Sequence, residues 1–185
     1  MSLKTKVKAG NITNLHDARY CAGMGVDWLG FRADTVDAVT FKEITNWVSG
    51  PQFVLELAEA TSLESIATYQ ISLLEISYNQ LRAIDIIPEK EWIVKLPLSV
   101  WDEEKSELMK YKEHISYLIV DVNTQGTIML ANISDHFKIL INQSDNFSLA
   151  ELLALPMDGI NVSAENGVGN SERLASVLNA LERED

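Results

Sequence analysis

Residues 7–31, VKAGNITNLHDARYCAGMGVDWLGF, decide the fold. Val7 to Gly10 has β-like composition, and Gly10-Asn11 is a turn pair. Asn14 or Asp17 can cap a helix that carries Ala18, Cys21 and Ala22 on one face. Asp27 to Phe31 then begins a second strand. A strand, a helix and a second strand in that order predict parallel pairing through a right-handed crossover.

The same unit recurs along the chain. Strand-like runs stand at 4–10, 27–31, 52–58, 71–77, 91–99, 115–122, 137–142 and 158–163. Continuous apolar runs such as YLIVDV suit strands covered on both faces. Helical stretches lie between the runs. Thr40 is expected to cap the second helix, with Phe41, Ile44 and Trp47-Val48 as its buried stripe. Thr61-Ser62 opens the third, Asp102 the fifth and Ser148 the seventh, and Ser171 to Leu181 form the last. Eight repeats predict a closed (β/α)8 barrel. At about 23 residues per unit it is lean against the roughly 250 residues usual for this fold. Loops must be short. An open flavodoxin-like sheet is the alternative, but the Gly-rich phosphate loop it usually needs after the first strand is absent. No linker divides residues 1–185, so one domain is expected, with 182–185 as a frayed acidic tail.

The bulk numbers limit the function. A net charge of −12 repels phosphate backbones and anionic membrane, so neither nucleic acid nor membrane is an expected partner. No apolar run is long enough to span a bilayer, and no signal peptide is visible, so the cytoplasm is expected. One cysteine, Cys21, excludes an internal disulfide and a Cys-rich metal site; it reads as a packing thiol. His16, His114 and His136 fall at helix ends with no metal-triad spacing and read as surface residues. No metal and no cofactor is expected. Trp28, Trp47, Trp92 and Trp101 read as packing between barrel and helices.

In such a barrel the chemistry sits at the C-terminal ends of the strands. Those ends offer Gly10-Asn11, Arg32, Glu56, Glu75 and Ser77, Lys95, Asp121 and Asn123, Asn142 to Ser144, and Ser163 to Glu165. Asp121 ends a buried strand and must find hydrogen bonds or face the mouth. Lys95 interrupts the apolar run WIVKLPL, where it can neutralise Asp121 or Glu75 or bind an anion. Glu56 and Glu75 read either as pocket acids or as solvated loop residues.

These residues carry a resemblance. Lys8 to Ala18, KAGNITNLHDA, resembles the first βα unit of the phosphoribosylanthranilate isomerases, which reads K-I-C-G-[IL]-T and then D-A. Gly25 to Phe31, GVDWLGF, matches the family's second strand, G-A-D-x-[LV]-G-F, without a gap. Tyr117 to Asp121 looks like the sixth strand and Gly159 to Ser163 like the eighth. The resemblance implies a barrel that rearranges N-(5-phosphoribosyl)anthranilate from aminoaldose to aminoketose phosphate, in tryptophan biosynthesis. That reaction needs a base to take the proton from the sugar C2 and an acid to open the ribose ring.

The acid position is Asp121. The base position, a cysteine in the family, is Gly10; a register slip of one makes it Ala9. The family's substrate-holding S-x-R after strand two is a shorter loop containing Arg32. Q-L-H-G after strand four is Glu75 to Tyr78. The Gly-rich phosphate loops fall at Asn123 to Gly126, Ile141 to Ser144 and Ser163 to Glu165, with few glycines. Among the strand-end residues, Asn11, Arg32, Glu75, Lys95, Asn142 and Ser163 are the candidates for ligand binding. The resemblance leaves two outcomes: an isomerase-type enzyme acting on a phosphorylated sugar without its base, or a barrel repurposed for ligand binding or interaction. A monomer or a homodimer fits either.

Overall fold

The computed structural model describes residues 2–58, 63–83, 90–122, 127–144, 146–163 and 170–183. Eight parallel strands close into a barrel in chain order. They are β1 (Lys6–Gly10), β2 (Trp28–Arg32), β3 (Gln52–Glu56), β4 (Leu73–Ser77), β5 (Glu91–Leu96), β6 (Ile115–Val120), β7 (Ile139–Asn142) and β8 (Gly159–Ser163). β8 closes against β1 in register from Lys6–Gly159 to Gly10–Ser163. The helices between them are α1 (Leu15–Gly23), α2 (Ala38–Thr45), α3 (Leu63–Ala67), α4 (Tyr78–Ala83), α5 (Trp101–Lys110), α6 (Thr127–Ser134), α7 (Leu149–Leu153) and α8 (Asn170–Leu181). Several are only two turns or shorter, as the lean unit length requires. The (β/α)8 barrel expected from the repeat is the observed fold. No helix among the described residues is long and apolar enough to cross a membrane.

Strand residues alternate between two cores because successive side chains point to opposite faces. Ala9, Leu29, Phe31, Leu55, Leu74, Ile76, Val94, Leu118 and Val120 belong to the larger core that includes the helices. Trp28, Val54, Leu73, Ile93, Tyr117, Ile119 and Leu140 form a separate cluster inside the barrel. Trp28 is thus a plug of the lumen, edge-on to Tyr117 at 4.9 Å, rather than a barrel–helix contact. Trp92 and Trp101 pack as expected and are almost fully buried. Trp47 is 74% exposed. Phe41, Ile44 and Val48 of its expected stripe are buried, but Trp47 is not, because α2 stops at Thr45 with Asn46 as its cap.

The caps follow the chemistry of short polar side chains. Asn14 accepts from the Asp17 N–H and starts α1. Ser148 and Glu151 make a reciprocal capping box on α7. The cap of α2 is Asp37, accepting from the Thr40 N–H. Thr40 is therefore the receiving end of the cap, and its side chain does not supply it. Before α5, Pro97 ends the β5 run and a 3-10 turn (Leu98–Val100) intervenes, which puts Asp102 within the first turn of the helix. The Thr61-Ser62 cap lies outside the described residues. At the C-terminus, Glu182 bridges to Leu3 and the Arg183 N–H donates to the Ser2 carbonyl. Residues 184 and 185 lie outside the described residues.

Cys21 is fully buried on α1. Burial, with Asp17 nearby, pushes its thiol up to about 12. Since the thiolate is the reactive form, native protein at pH 8 is expected to resist a thiol-specific disulfide reagent. One equivalent should react after denaturation, and rapid labelling of the native state would contradict this packing.

Candidate active site

The site begins with a lysine inside a β-barrel. Lys8 lies two residues before Gly10 on β1, so both face the lumen. Its side chain has no solvent exposure. An ammonium carries three donors. Glu56 Oε1 at 2.5 Å and Asn161 Oδ1 at 3.2 Å accept from it, and Glu75 Oε2 lies 2.6 Å away as an ion pair. These come from β3, β4 and β8. Lys95 on β5 holds the other oxygen of Glu75 at 2.5 Å. The Asn11 N–H donates to Glu56 Oε2 at 3.1 Å. The choice left open by sequence is settled for both carboxylates: Glu56 and Glu75 are buried acids of the lumen.

Charge balance makes this burial possible. Desolvation disfavours the charged form of each group, but the ion pairs outweigh it. For Lys8, burial opposes the ammonium, and Glu56 and Glu75 still raise its pKa well above the usual lysine value. For Glu75, burial opposes the carboxylate, and Lys8 and Lys95 still hold its pKa below the usual range.

Lys8 also orients a chain of amides. It can only donate, so Asn161 must turn its oxygen toward it. The Asn161 Nδ2 then donates to Asn142 Oδ1 at 2.6 Å, and Asn142 Nδ2 donates to Asp121 Oδ1 at 2.7 Å. Each amide has one orientation that satisfies both neighbours. The buried ammonium thereby fixes a row of donors that ends on the Asp121 carboxylate at the mouth.

The strand ends surround a cavity of about 300 Å³ lined by Gly10, Asn11, Arg32, Lys95, Asp121, Asn142 and Ser163, among others. These are seven of the residues expected from sequence. Glu75 stands behind them, tied to Lys95. A second cavity of about 510 Å³ adjoins it and shares Lys95, Asp121 and Asn142, with Leu96, Pro97 and Ile119 adding apolar wall. Arg32 is less available than its position suggests, because it holds Asp34 through two contacts, at 2.9 and 2.5 Å. Asn123 to Gly126 and Ala164-Glu165 lie outside the described residues.

Gly10 is more than a missing side chain. A Cβ there would lie 2.5 Å from Glu56 Oε1 and 3.0 Å from Lys8 Nζ. At Gly30 on β2, a Cβ would meet the same carboxylate even more closely, with Glu56 Cδ at 2.8 Å. Two glycines on adjacent strands thus make room for the Glu56–Lys8 pair. Sequence reading missed Lys8 and Asn161 as parts of the site. The available signal was a lysine two positions before Gly10 in a strand covered on both faces.

No group of His, Cys, Asp and Glu among the described residues could hold a metal ion. His16 is exposed, whereas His114 and His136 lie beside Trp92 and Trp101 at 5.3 and 6.3 Å between ring centroids. Those two histidines are packing residues more than free surface.

The chain has the fold of solved phosphoribosylanthranilate isomerases. One, in complex with reduced 1-(o-carboxyphenylamino)-1-deoxyribulose 5-phosphate, matches with a TM-score of 0.72 at 15% identity, over 95% of this chain and 97% of that one. The Thermus thermophilus enzyme matches with a TM-score of 0.71 at 15% identity, over 95% and 98%. A truncated 3-deoxy-D-arabino-heptulosonate 7-phosphate synthase from Thermotoga maritima, a different enzyme, matches with a TM-score of 0.66 at 13% identity, over 95% and 84%. Similarity at this level establishes the barrel and leaves the chemistry to the residues. No protein-family model matches the chain, and no curated protein matches it.

Proposed function

We propose that this chain is a divergent phosphoribosylanthranilate isomerase-like barrel that binds a small polar ligand at its mouth and does not catalyse the family's rearrangement. The observation that carries the reading is the filled space beside Gly10. The family's base is a thiol projecting from that position into the mouth. Here a Cβ would collide with Glu56, so the site has been rebuilt around a buried ion pair and has no slot for the thiol.

Glu56 does not replace the base. One of its oxygens is held by Lys8 and the other by the Asn11 N–H. Asp121 at the acid position is exposed at the mouth, but an acid without a base completes half of the proton transfers. Loss of a general base costs about 10²–10⁴-fold. Few glycines remain in the stretches corresponding to the phosphate loops, which lowers the expectation further. The fold likeness supports the lineage, and the polar cavity supports retained binding.

The test is turnover of N-(5-phosphoribosyl)anthranilate by purified protein. The expected rate is at least about 10²-fold below the ordinary enzyme median of roughly 10 s⁻¹. Turnover near that median, abolished by Asp121→Ala, would overturn the proposal.

A further inference from the structure

We propose that the barrel mouth selects a neutral polyol, such as an unphosphorylated sugar, and discriminates against phosphorylated and amino sugars. This rests on the ligand-binding reading above and specifies its ligand. The inference comes from which polar groups at the mouth are already committed.

Each cation lining the cavity has a carboxylate partner. Lys95 holds Glu75 and Arg32 holds Asp34, and Lys8 beneath them holds Glu56 and Glu75. Asp121 is the exception among the carboxylates. Among the described residues no cation pairs with it, and the Asn142 amide donates to its Oδ1. An arriving phosphate therefore meets, in the cavity lining, an unneutralised carboxylate and cations that are already paired, while the Arg173 guanidinium at the rim already donates to Gln143 Oε1. Binding it would require breaking a Glu75 or Asp34 pair, or accepting repulsion from Asp121. The sequence does not relieve this, since 123–126 and 164–169 contain no Lys or Arg. An ammonium ligand would be attracted by Asp121 but would face the Lys95 ammonium across the same small cavity.

Hydroxyl groups avoid both conflicts, because each can donate to one group and accept from another. Asp121 Oδ2, which has no donor among the described residues, accepts one from the ligand. Lys95 keeps ammonium protons beyond the one directed at Glu75. Asn11 adds a third point. It is 9% exposed and lines the cavity, and its Oδ1 has no hydrogen-bond partner among the described residues. A buried acceptor without a donor is costly. Its side-chain amide torsion is soft, so a ligand hydroxyl at the wall can satisfy it. The backbone of Asn11 is left-handed, with φ of 59°, and its N–H is fixed on Glu56.

The test titrates the full chain with neutral pentoses and hexoses, their monophosphates and the corresponding amino sugars, read by calorimetry. At least one neutral sugar should bind about tenfold or more tightly than its monophosphate and its amino derivative. Asn11→Gly accommodates the left-handed backbone and removes the side-chain amide, the unpartnered acceptor with it. It should weaken that sugar about tenfold while leaving the denaturation midpoint unchanged or raised. Asp121→Asn should weaken the neutral sugar and strengthen its monophosphate, because repulsion is removed. A monophosphate or amino sugar that binds more tightly than its parent would overturn the proposal, as would a panel in which nothing binds. Neither result depends on isomerase turnover, so failure here is distinguishable from failure of the non-catalytic reading.

Discussion

Lys8→Met is expected to destabilise the protein by about 3–5 kcal/mol, the range for removing one partner of a buried ion pair. Small domains have only about 5–15 kcal/mol in total, so much of the chain's stability rests on one ammonium. Methionine keeps the length of the side chain, so the loss is electrostatic more than steric. It leaves Glu56 with no cation and Glu75 with Lys95 alone, and it removes the donor that orients Asn161. Urea unfolding measures the effect. Adding Glu56→Gln and Glu75→Gln to Lys8→Met should recover more than half of the loss, because the stranded charges are gone. A single variant within about 1 kcal/mol of the parent would contradict the arrangement.

The pH dependence has a definite sign. Glu75 titrates in the folded protein below its ordinary value of 4.5. Its contribution is complete above that value and is lost as pH falls through the lower, folded one. Lys8 titrates above its ordinary value of 10.5. Its contribution is complete below 10.5 and is lost only as pH rises through the folded value. Between about pH 5 and 9 the cluster therefore contributes a constant amount. Lys8→Met removes the leading influence that holds Glu75 below its ordinary value, so the variant should lose less stability than the parent as pH falls below 5.

The barrel was legible because its signals are local. Runs such as YLIVDV and the spacing between them need no knowledge of distant residues, and KAGNITNLHDA fixed the register of the first unit. The strand ends followed from the fold, which is why Asn11, Arg32, Lys95, Asp121, Asn142 and Ser163 line one cavity. Pairing was not legible. Glu56 and Glu75 read equally as solvated loop acids because nothing local reports that both meet a lysine from the first strand. Lys8 served as a register mark, although a lysine two places before Gly10 in a covered strand has nowhere to point except the lumen. Thr40 and Asp37 were indistinguishable as caps within a turn, and Trp47 kept helical spacing past the end of its helix.

Gly30→Ala should be among the most disruptive small substitutions available, at about 1–3 kcal/mol or more. The added methyl would overlap the Glu56 carboxylate and come within 2.9 Å of Lys8 Nζ. Neither group can retreat without breaking the cluster. Gly10→Cys tests the same packing from the other side. It restores the thiol of the resembled family at its own position, yet the new Cβ meets Glu56 at 2.5 Å. Destabilisation without appearance of isomerase turnover is the expected result. A double-mutant cycle identifies the cause. Glu56→Ala opens the space and leaves Lys8 with Glu75 and Asn161 as partners. Gly30→Ala should then cost less in that background than alone, by about 0.5–3 kcal/mol, the coupling usual for residues in contact. Additivity within about 0.5 kcal/mol would mean that Gly30 is not there to admit the carboxylate. Coupling would mean that a side chain at Gly30 and the Glu56–Lys8 pair compete for one space, so that the glycine is required by the ion pair.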